Sequence, residues 1–391
     1  MKLGDLGKIT TGTTPSKSNE KFYDSDDIMF IKPDNLSVDT LTLVNPDKNY
    51  ISHDAMKKAR IAQKGSVLIT CIGIIGKISV VDVDKVAFNQ QINAIAPDVN
   101  KVCTRYLAYA LKYNRQKLES IANAPVVPII NKTKFSEFKI AITPCSKTQQ
   151  EIANTLDKAQ ELIDKRKQQI QALDDLTQSV FYDMFGDPIR NERGWKKCQI
   201  KDLIVKTQYG TGKKADEEKG EIPVLRMNNI TYKGSWNFSS LKYVDLDEKE
   251  KEKYLVSKGE VLFNRTNSKE LVGKTAIYSE EEPMAYAGYL IKMIPNDKAN
   301  GVFISAFLNS KYSKKVLFNM AKNIVGMANI NAEELKAIKT FAPPIELQNK
   351  FSEVVQSIEN QKLLLEKSLI ELEINFNALM QQAFKGGECE E

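Results

Sequence analysis

Two long stretches of the chain place apolar residues at alternating steps of four and three. The first runs from Ile152 to Met184 and the second from Phe351 to Ala383, and each position in the second lies 199 residues after its counterpart. This spacing keeps one apolar stripe on one side of a helix, as in the seam of a coiled coil. The pattern predicts two helices of about 36–40 residues, each about 55–60 Å long at 1.5 Å per residue.

Fourteen large apolar residues define the predicted coiled-coil seam. They are Ile152, Leu156, Ile163, Ile170, Leu173 and Val180 in the first helix, and Phe351, Val355, Ile358, Leu365, Leu369, Leu372, Phe376 and Leu379 in the second. Each seam also contains one charged residue, Arg166 or Lys362. An antiparallel pairing brings these two near the middle of the partner helix, where a polar residue fixes the register at some cost in stability. Glycines at 186 and 386 predict the helix ends.

Shorter motifs before each helix also occur twice. Gly65-Ser66-Val67-Leu68 corresponds to Gly259-Glu260-Val261-Leu262, and Ile75-Gly76-Lys77 corresponds to Val272-Gly273-Lys274. β-Branched runs punctuated by Gly, Asn and Pro predict strands and turns. Helical patches are predicted at residues 106–121 and 302–321.

These patterns together predict a mixed α/β fold with a pseudo-two-fold internal repeat. Two α/β domains are separated by two long helices, which form an antiparallel coiled coil. The predicted boundaries are 1–146 for the first domain, 147–187 for the central helix, 188–345 for the second domain, 346–386 for the distal helix and 387–391 for a tail.

Charge is distributed unevenly along the chain. The net charge is +6, and the basic excess lies wholly within residues 1–146 and 188–345, whereas both helical stretches are acidic. Such a distribution favours nucleic acid as the ligand of the domains and protein as the partner of the helices. Ordinary surface charge is the alternative interpretation.

Composition excludes several classes of site. The five cysteines are isolated, without a CxxC motif, which favours a reducing compartment and argues against a disulfide framework or a zinc site. The single histidine, His53, follows Ser52 and precedes Asp54, so we expect it at a capped helix start. We expect no metal in the chain and no membrane association, since no apolar run approaches 18–20 residues. The first residues lack the apolar segment of a secretion signal, so we expect a cytoplasmic protein.

Two motifs resemble catalytic or cofactor signatures only in their letters. Gly273-Lys274-Thr275 resembles the end of a P-loop, but Ser268 stands where that motif needs glycine. Gly210-Thr211-Gly212 matches part of a dinucleotide fingerprint, yet a charged loop follows it instead of an apolar helix. No methyl-transfer tetrad occurs, and no carboxylate constellation typical of a nuclease is evident. We therefore expect no catalytic residue and no cofactor in this chain.

The organisation resembles the specificity subunits of type I restriction-modification systems over residues 1–386. The resemblance rests on the opening Leu3-Gly4-Asp5-Leu6, on the paired Lys64-Gly65 and Lys258-Gly259 turns, and on Pro144 and Pro343-Pro344 before the Gln-rich helix starts. The junction from Phe181 through Pro188 to Trp195 also looks like the central junction of that family. Each motif is weak alone, but their order and double occurrence are specific.

The resemblance implies two target-recognition domains that each read one half of a split double-stranded DNA site. It also implies two methyltransferase subunits bound to the helices, and motor-nuclease (restriction) subunits that join for restriction. S-adenosylmethionine would be used by the methyltransferase partner, and ATP with magnesium by the motor partner. Independently, two basic domains held apart by helices would read two half-sites at a set spacing.

Candidate DNA-binding residues are polar side chains that follow strands or occupy turns, since Arg, Lys, Asn and Gln read base edges and also contact phosphates. They are Lys32, Asn35, Lys77, Asn89, Gln90 and Gln91 in the first domain, and Arg226, Asn228, Asn229, Arg265, Asn267 and Lys274 in the second. For any single residue, a turn-forming or solvated role is the alternative.

Two other functions stay open at this point. The chain could be a DNA-modifying enzyme with an unrecognised site, although motor, methyl-transfer and metal signatures are lacking. It could also be a coiled-coil scaffold, which would leave the two basic domains unexplained.

Overall fold

Short strands and two long helices make up the computed structural model, which describes residues 1–45, 47–122, 127–324 and 327–385. The chain divides into two units. Unit 1 comprises Met1–Arg166 together with the chain from Ser368 onward, and unit 2 comprises Lys167–Lys367. Each long helix therefore contributes one part to each unit. The mixed α/β class is confirmed.

Unit 1 begins with small helices and strands and leads into the first long helix. Its elements are α1 (Leu3–Leu6), β1 (Gly7–Thr11), β2 (Ile28–Ile31), β3 (Tyr50–Ile51), α2 (His53–Met56), β4 (Arg60–Gln63), β5 (Val67–Thr70), β6 (Ile78–Val80), β7 (Lys85–Phe88), β8 (Ile92–Pro97), α3 (Thr104–Tyr113), α4 (Arg115–Ser120), α5 (Lys132–Glu137) and α6 (Ser146–Phe185). Single 3-10 turns lie at Glu20–Phe22 and Pro33–Asn35.

Unit 2 repeats this order with a few added strands and ends in the second long helix. Its elements are β9 (Lys196–Gln199), β10 (Ile204–Tyr209), β11 (Ile222–Leu225), β12 (Lys242–Val244), α7 (Glu248–Tyr254), β13 (Leu255–Val256), β14 (Val261–Asn264), β15 (Thr266–Asn267), β16 (Thr275–Ile277), β17 (Met284–Tyr286), β18 (Leu290–Pro295), α8 (Gly301–Asn309), α9 (Lys311–Met320), β19 (Lys322–Ile324), β20 (Met327–Asn329), α10 (Ala332–Lys336), β21 (Lys339–Ala342) and α11 (Ile345–Lys385). A 3-10 turn lies at Ile200–Leu203.

The two units share one sheet topology. The strand order β1-β8-β5-β6 in unit 1 matches β10-β18-β14-β16 in unit 2, and β3-β2-β7-β4 matches β12-β11-β17-β13. In both units the second sheet contains one parallel pair, β2 with β7 and β11 with β17. Unit 2 adds a two-stranded sheet, β21-β9, and a three-stranded sheet, β15-β20-β19. The internal repeat found in the sequence is therefore a repeat of topology.

The central strand of each first sheet is buried on both faces. Val67 and Ile69 of β5 pack in one apolar core together with α3, whereas Leu68 packs in a second core beneath the other sheet. In β14, Val261 and Phe263 likewise pack in one core and Leu262 in a second core on the other face. Successive side chains of a strand point to opposite faces, so an uninterrupted apolar run is what such a strand requires.

A glycine with positive φ makes the same tight turn in both units. Gly76 (φ 78°) precedes β6 and Gly273 (φ 82°) precedes β16. A Cβ on either glycine would lie 2.7 Å from Arg115 or 2.6 Å from Leu317. Because a strand follows Gly273-Lys274, this segment is a turn that enters a strand, as the sequence predicts, and not a P-loop.

The two predicted helical patches are each interrupted once. The patch at 106–121 corresponds to α3 and α4, which are separated at Asn114, and the patch at 302–321 corresponds to α8 and α9, which are separated at Ser310; each patch ends one residue after its second helix. Ser310 accepts a hydrogen bond from the Ser313 N–H and thereby starts a new helix. At α2, Ser52 caps the helix by accepting from Ala55, as predicted for the region around His53.

The long helices contain 40 and 41 residues. Gly186, with φ 79°, directly follows α6 and ends it. Gly386 and the tail at 387–391 lie outside the described residues. All fourteen predicted seam residues are buried or partly buried.

In unit 1 the seam joins the domain core. Leu156 and Ile163 of α6 share that core with Phe376 of α11. The ring of Tyr109 lies 6.2 Å from that of Phe376, and its hydroxyl donates to Asp157 at 2.7 Å.

In unit 2 the helices run in opposite directions. The ring centroids of Phe351 and Phe185 are 5.2 Å apart. Lys362, which follows Phe351 in α11, donates at 2.7 Å to Asp174, which precedes Phe185 in α6. The charged seam residue Lys362 also donates to Ser235 at 3.1 Å. The charged residue of the first seam, Arg166, is also partly buried.

Candidate nucleic-acid interface

In both units, the ends of two parallel strands bring polar turns together. Ile31 of β2 pairs with Phe88 of β7, so the turns that follow these strands start side by side. The N–H of Asn89 donates to the carbonyl of Ile31 at 3.0 Å. We call residues 32–35, 77 and 89–91 the polar end of unit 1.

Unit 2 has the same arrangement. Leu225 of β11 pairs with Tyr286 of β17, and the N–H of Ala287 donates to the carbonyl of Leu225 at 2.9 Å. The polar end of unit 2 comprises residues 226–229, 265–267, 274 and 287–289. Eight of the twelve predicted DNA-binding residues lie in the turns that follow the parallel strands; the other four, Lys77, Arg265, Asn267 and Lys274, lie between β5 and β6 or between β14 and β16.

One asparagine at each polar end shapes its own turn. Asn35 is 2% exposed; it accepts from the N–H of Lys32 at 2.7 Å and donates to the carbonyl of Val44 at 2.8 Å. Asn229 is likewise 2% exposed and accepts from the N–H of Arg226 at 2.9 Å. Burial and internal hydrogen bonds leave these side chains no free polar edge, so they position the turns.

The residues that these turns display are more accessible. The ammonium of Lys32 bonds to the side-chain oxygen of Asn49, and Arg226 donates to the carbonyl of Ser240 at 2.8 Å. Both side chains are partly exposed, and Asn228 is exposed. These three are the members of the predicted set in these two turns that a ligand can approach.

Two corresponding lysines, one after Gly76 and one after Gly273, bond to the turn that follows β2 or β11. Lys77 donates to the carbonyl of Pro33 at 3.3 Å, with Asp34 at 3.8 Å. Lys274 is 6% exposed and donates to the carbonyls of Met227 and Ile230. The sequence suggested DNA contacts for both lysines, and the structure gives each a bond inside its own unit.

A second lysine approaches Lys274 from α9. Lys314 donates to the carbonyl of Gly273 at 3.2 Å and lies 5.2 Å from the ring centroid of Tyr232. Burial, and secondarily the charge of Lys274, lowers the pKa of Lys314 to about 8. Burial also lowers the pKa of Lys274. Two adjacent ammonium groups with carbonyl partners make a positive region that an anion would stabilise.

The turn after β7 is held mainly by its own amides. Asn89 donates to Gln91 at 3.0 Å and accepts from its N–H at 3.1 Å. The intervening Gln90 is exposed and accepts from Thr14. The carbonyl of Gln91 accepts from the N–H of Cys71 at 2.8 Å, which ties this turn to the end of β5. Gln90 is the residue of this trio that faces solvent.

Arg265 and Asn267 follow β14 in unit 2. The guanidinium carbon of Arg265 lies 4.9 Å from the ring centroid of Tyr209, and its backbone N–H donates to the carbonyl of Tyr289 at 3.0 Å. Asn267 accepts from the N–H of Ser268 at 2.8 Å. Arg265 is partly exposed and is held by ring stacking instead of an ion pair.

Sequence reasoning missed the exposed aromatic residues of unit 2. Tyr209 is 43%, Tyr289 50% and Phe318 42% exposed. Lys269 lies 4.5 Å from the ring centroid of Phe318. These aromatics carry no motif; the position of Tyr209 at the strand end before Gly210 was the available signal.

Within the described ranges, no cluster of three or more His, Cys, Asp or Glu side chains is placed to hold a metal ion. The part of the chain that the structure describes also contains no helix long and apolar enough to cross a membrane.

The chain matches a protein family described as Type I restriction modification DNA specificity domain, over residues 1–174 and 192–374. A similar curated protein is the type I restriction enzyme MjaIX specificity subunit of Methanocaldococcus jannaschii, 26% identical over 251 residues that cover 59% of this chain and 57% of that protein. The type I restriction enzyme HindI specificity subunit of Haemophilus influenzae is 34% identical over 145 residues, which cover 36% of this chain and 31% of that protein. The matched regions span 31–57% of the length of these curated relatives.

Two solved structures share the fold. The S subunit of a type I restriction-modification system from M. genitalium superposes with a TM-score of 0.59 at 17% identity, covering 98% of this chain and 95% of that chain. A chain from a structural study of complex assembly and conformational transition in the type I R-M system superposes with a TM-score of 0.56 at 14% identity, covering 98% and 96%.

Proposed function

Because the chain belongs to the family of type I restriction modification DNA specificity domains, we propose that it is the DNA sequence-recognition subunit of a type I restriction-modification complex. Each unit reads one half of a bipartite double-stranded DNA target with its polar end. The observation that carries this proposal is the repeated topology, which brings polar turns to the same strand ends in both units.

The chemistry of the accessible side chains supports DNA as the ligand. Gln90 and Asn228 are amides that can pair with adenine in the major groove, and Arg226 and Arg265 can pair with guanine. Lys32 adds a positive charge suited to phosphate. Since the buried asparagines hold the turns, the exposed groups are presented from a rigid frame.

The long helices serve as the platform for two methyltransferase subunits, and restriction subunits with motor activity join this assembly. Four aliphatic side chains of α11 are more than half exposed and suit a protein partner: Leu363, Leu364, Ile370 and Ile374. The methyltransferase partner uses S-adenosylmethionine, and the motor partner uses ATP and magnesium. This chain contributes recognition without catalysis, and the complex works in the cytoplasm.

Salt-dependent binding of the full-length chain to random-sequence duplex DNA tests the proposal. We expect the association constant to fall by about 100-fold or more between 50 and 200 mM salt, because phosphate contacts release counterions. Sequence selectivity is expected once the methyltransferase partner is added.

Two results would contradict the proposal. One is binding that does not depend on salt. The other is methylation or hydrolysis of DNA by the purified chain alone, which would favour an enzyme.

A further inference from the structure

Arg265 has an unusual environment for a partly buried arginine. Within the described residues its guanidinium has no hydrogen-bond or ion-pair partner, and its Nε is buried without one. By contrast, Arg115 pairs with Glu119, and Arg193 donates to the carbonyl of Asp183 at 2.8 Å. An arginine in this state keeps its hydrogen-bonding capacity for a group outside the protein.

The orientation of Arg265 is fixed by its neighbours. Its guanidinium lies over the ring of Tyr209, and the hydroxyl of Tyr209 accepts a hydrogen bond from the N–H of Ala332 at 3.0 Å. The backbone of Arg265 is held on both sides, by donation to the carbonyl of Tyr289 and by acceptance from the N–H of Ile330 at 2.9 Å. Stacking on an anchored ring reduces the rotamers that must be lost when a ligand binds.

Further unsatisfied polar atoms surround this residue. Asn264 Nδ2 and Thr266 Oγ1 are buried without partners, as is Asn329 Oδ1 on the strand opposite Thr266. Four of the seven such atoms in the described part of the chain thus belong to this short segment and its strand partner. Asn264 and Thr266 are 0% and 5% exposed, so the unmet capacity is built into the fold.

From this geometry we infer that Arg265, positioned by Tyr209, reads a guanine in the half-site of unit 2. The inference rests on the proposed function and names the base class that this end recognises. A guanidinium can donate in parallel to the O6 and N7 acceptors of guanine in the major groove, and no other base offers that pair. Unit 1 has Cys71 at the corresponding strand end, so its half-site is read by other groups.

A chemical substitution in the DNA tests this contact. The target sequence is first identified by mapping DNA methylation in a host that carries the full-length chain and its methyltransferase partner. The binding of the complex of these two proteins to a duplex with that sequence is then measured. Each guanine is replaced in turn by 7-deazaguanine, which lacks the N7 acceptor but still pairs with cytosine. We expect at least one guanine in the half-site of unit 2 at which the replacement weakens binding by about 5- to 150-fold.

The same scan is repeated with Arg265→Ala. We expect the sensitivity at one such guanine to fall below about 2-fold, with the other half-site unchanged. Lys258→Ala is the matched control, because Lys258 lies at the opposite end of β14 and is paired with Glu281. This control removes one positive charge from the same unit and should keep the sensitivity.

Several outcomes would overturn the inference. They are a target without guanine, tolerance of 7-deazaguanine at every position by the unsubstituted chain, or undiminished sensitivity in Arg265→Ala. The scan on the unsubstituted chain stays decisive even if the variant folds poorly. Failure of the proposed function looks different, since the unsubstituted complex would then show no preference for its mapped sequence over random DNA.

Discussion

The two units repeat one framework but differ at their polar ends. In unit 1, Thr11 donates to Asn93 at 2.7 Å, and Asn93 donates to the sulfur of Cys71 at 3.2 Å. Burial raises the pKa of Cys71 to about 12, so the thiol stays neutral. This closed chain of hydrogen bonds leaves no side chain of the three free to act as a reader.

In unit 2 the corresponding positions carry different chemistry. Tyr209 replaces Thr11 before the matching glycine, and Arg265 replaces Cys71 after the matching strand. The result is a stacked, unpaired guanidinium in place of a closed network. Strand packing therefore keeps the same sheet topology in both units, while the residues at the strand ends differ.

The units also differ where the long helices enter their cores. Unit 2 uses a cluster of phenylalanines, in which Phe181 lies 5.8 Å from Phe303 and 5.9 Å from Phe351 between ring centroids. Unit 1 combines Tyr109 and Phe376 with the polar group of Asp157. The unit 2 cluster is made of aromatic rings, whereas the unit 1 cluster includes the hydrogen bond between Tyr109 and Asp157.

Removing one ring of the unit 2 cluster should change stability more than any other substitution considered. Phe181→Ala should lower the unfolding free energy of unit 2 by about 3–5 kcal/mol, because it leaves a cavity among packed rings. Both tryptophans, Trp195 and Trp236, lie in unit 2, so fluorescence-detected denaturation follows that unit. Phe376→Ala in unit 1 is the matched variant and should shift the fluorescence transition much less. Equal shifts would show that the two units do not unfold separately.

A smaller effect concerns the charged residue in the seam of unit 2. Burial opposes the charge of Lys362, but its hydrogen bond to Asp174 and the nearby Glu359 keep its pKa raised. Lys362→Met should cost about 2–3 kcal/mol, because Asp174, whose side chain is 16% exposed, then keeps only the longer contact with Lys233 at 3.4 Å. The loss is measured by urea denaturation.

The seam prediction has an internal check. The double variant Lys362→Met with Asp174→Leu should lose less stability than Lys362→Met alone, since the carboxylate that lost its nearest partner is also removed, and Lys233 keeps Asp175 at 3.1 Å. Lys367→Met, at an exposed position of the same helix, should be close to neutral. A double variant that loses as much stability as the two single variants added together would mean that Lys362 and Asp174 are not coupled.

The weakest effect is a pH dependence of stability that Lys314 gives to unit 2. The pKa of Lys314 is about 8 in the folded unit against an ordinary 10.5. Between these values the unfolded chain binds the extra proton, so stability rises with pH in this window. Lys314→Met should gain about 1–2 kcal/mol at pH 7, after allowance for solvent screening, and should abolish the rise.

The control for this pH effect is Lys315→Met, which removes an exposed lysine beside it. In unit 1 the comparable helix position is Arg115, which donates to Ile75 and pairs with Glu119. Arginine does not lose its proton in this range. A pH-stability profile that Lys314→Met leaves unchanged would show that the lysine is solvated.

Much of the fold was predictable because it depends on periodicity. The helix seams, the glycine turns at Gly76 and Gly273, and the doubly buried strands β5 and β14 all follow from local patterns. The interruptions at Asn114 and Ser310 were not predictable, because the apolar pattern continues through them and only capping and packing decide where a new helix starts.

The candidate site was predictable by residue type but not by role. Asn35, Asn229 and Lys274 resemble DNA contacts in the sequence, yet each is buried and bonded inside its unit. Exposed Asn228 is of the same residue type as buried Asn229 beside it, and exposed Gln90 lies next to buried Asn89. Whether a polar side chain holds a turn or faces outward depends on contacts with distant segments, which the local sequence does not encode.

The sequence alone therefore determined that two α/β halves repeat and that two heptad-bearing helices accompany them, since spacing and glycine placement act over a few residues. Which polar groups are bonded within the fold and which stay unpaired depends on tertiary contacts. The Lys274 ammonium bonds to the carbonyls of Met227 and Ile230, which lie 47 and 44 residues away in the chain, and Arg265 stacks on Tyr209 of β10. Local spacing does not encode such contacts, because they form only when distant segments pack together.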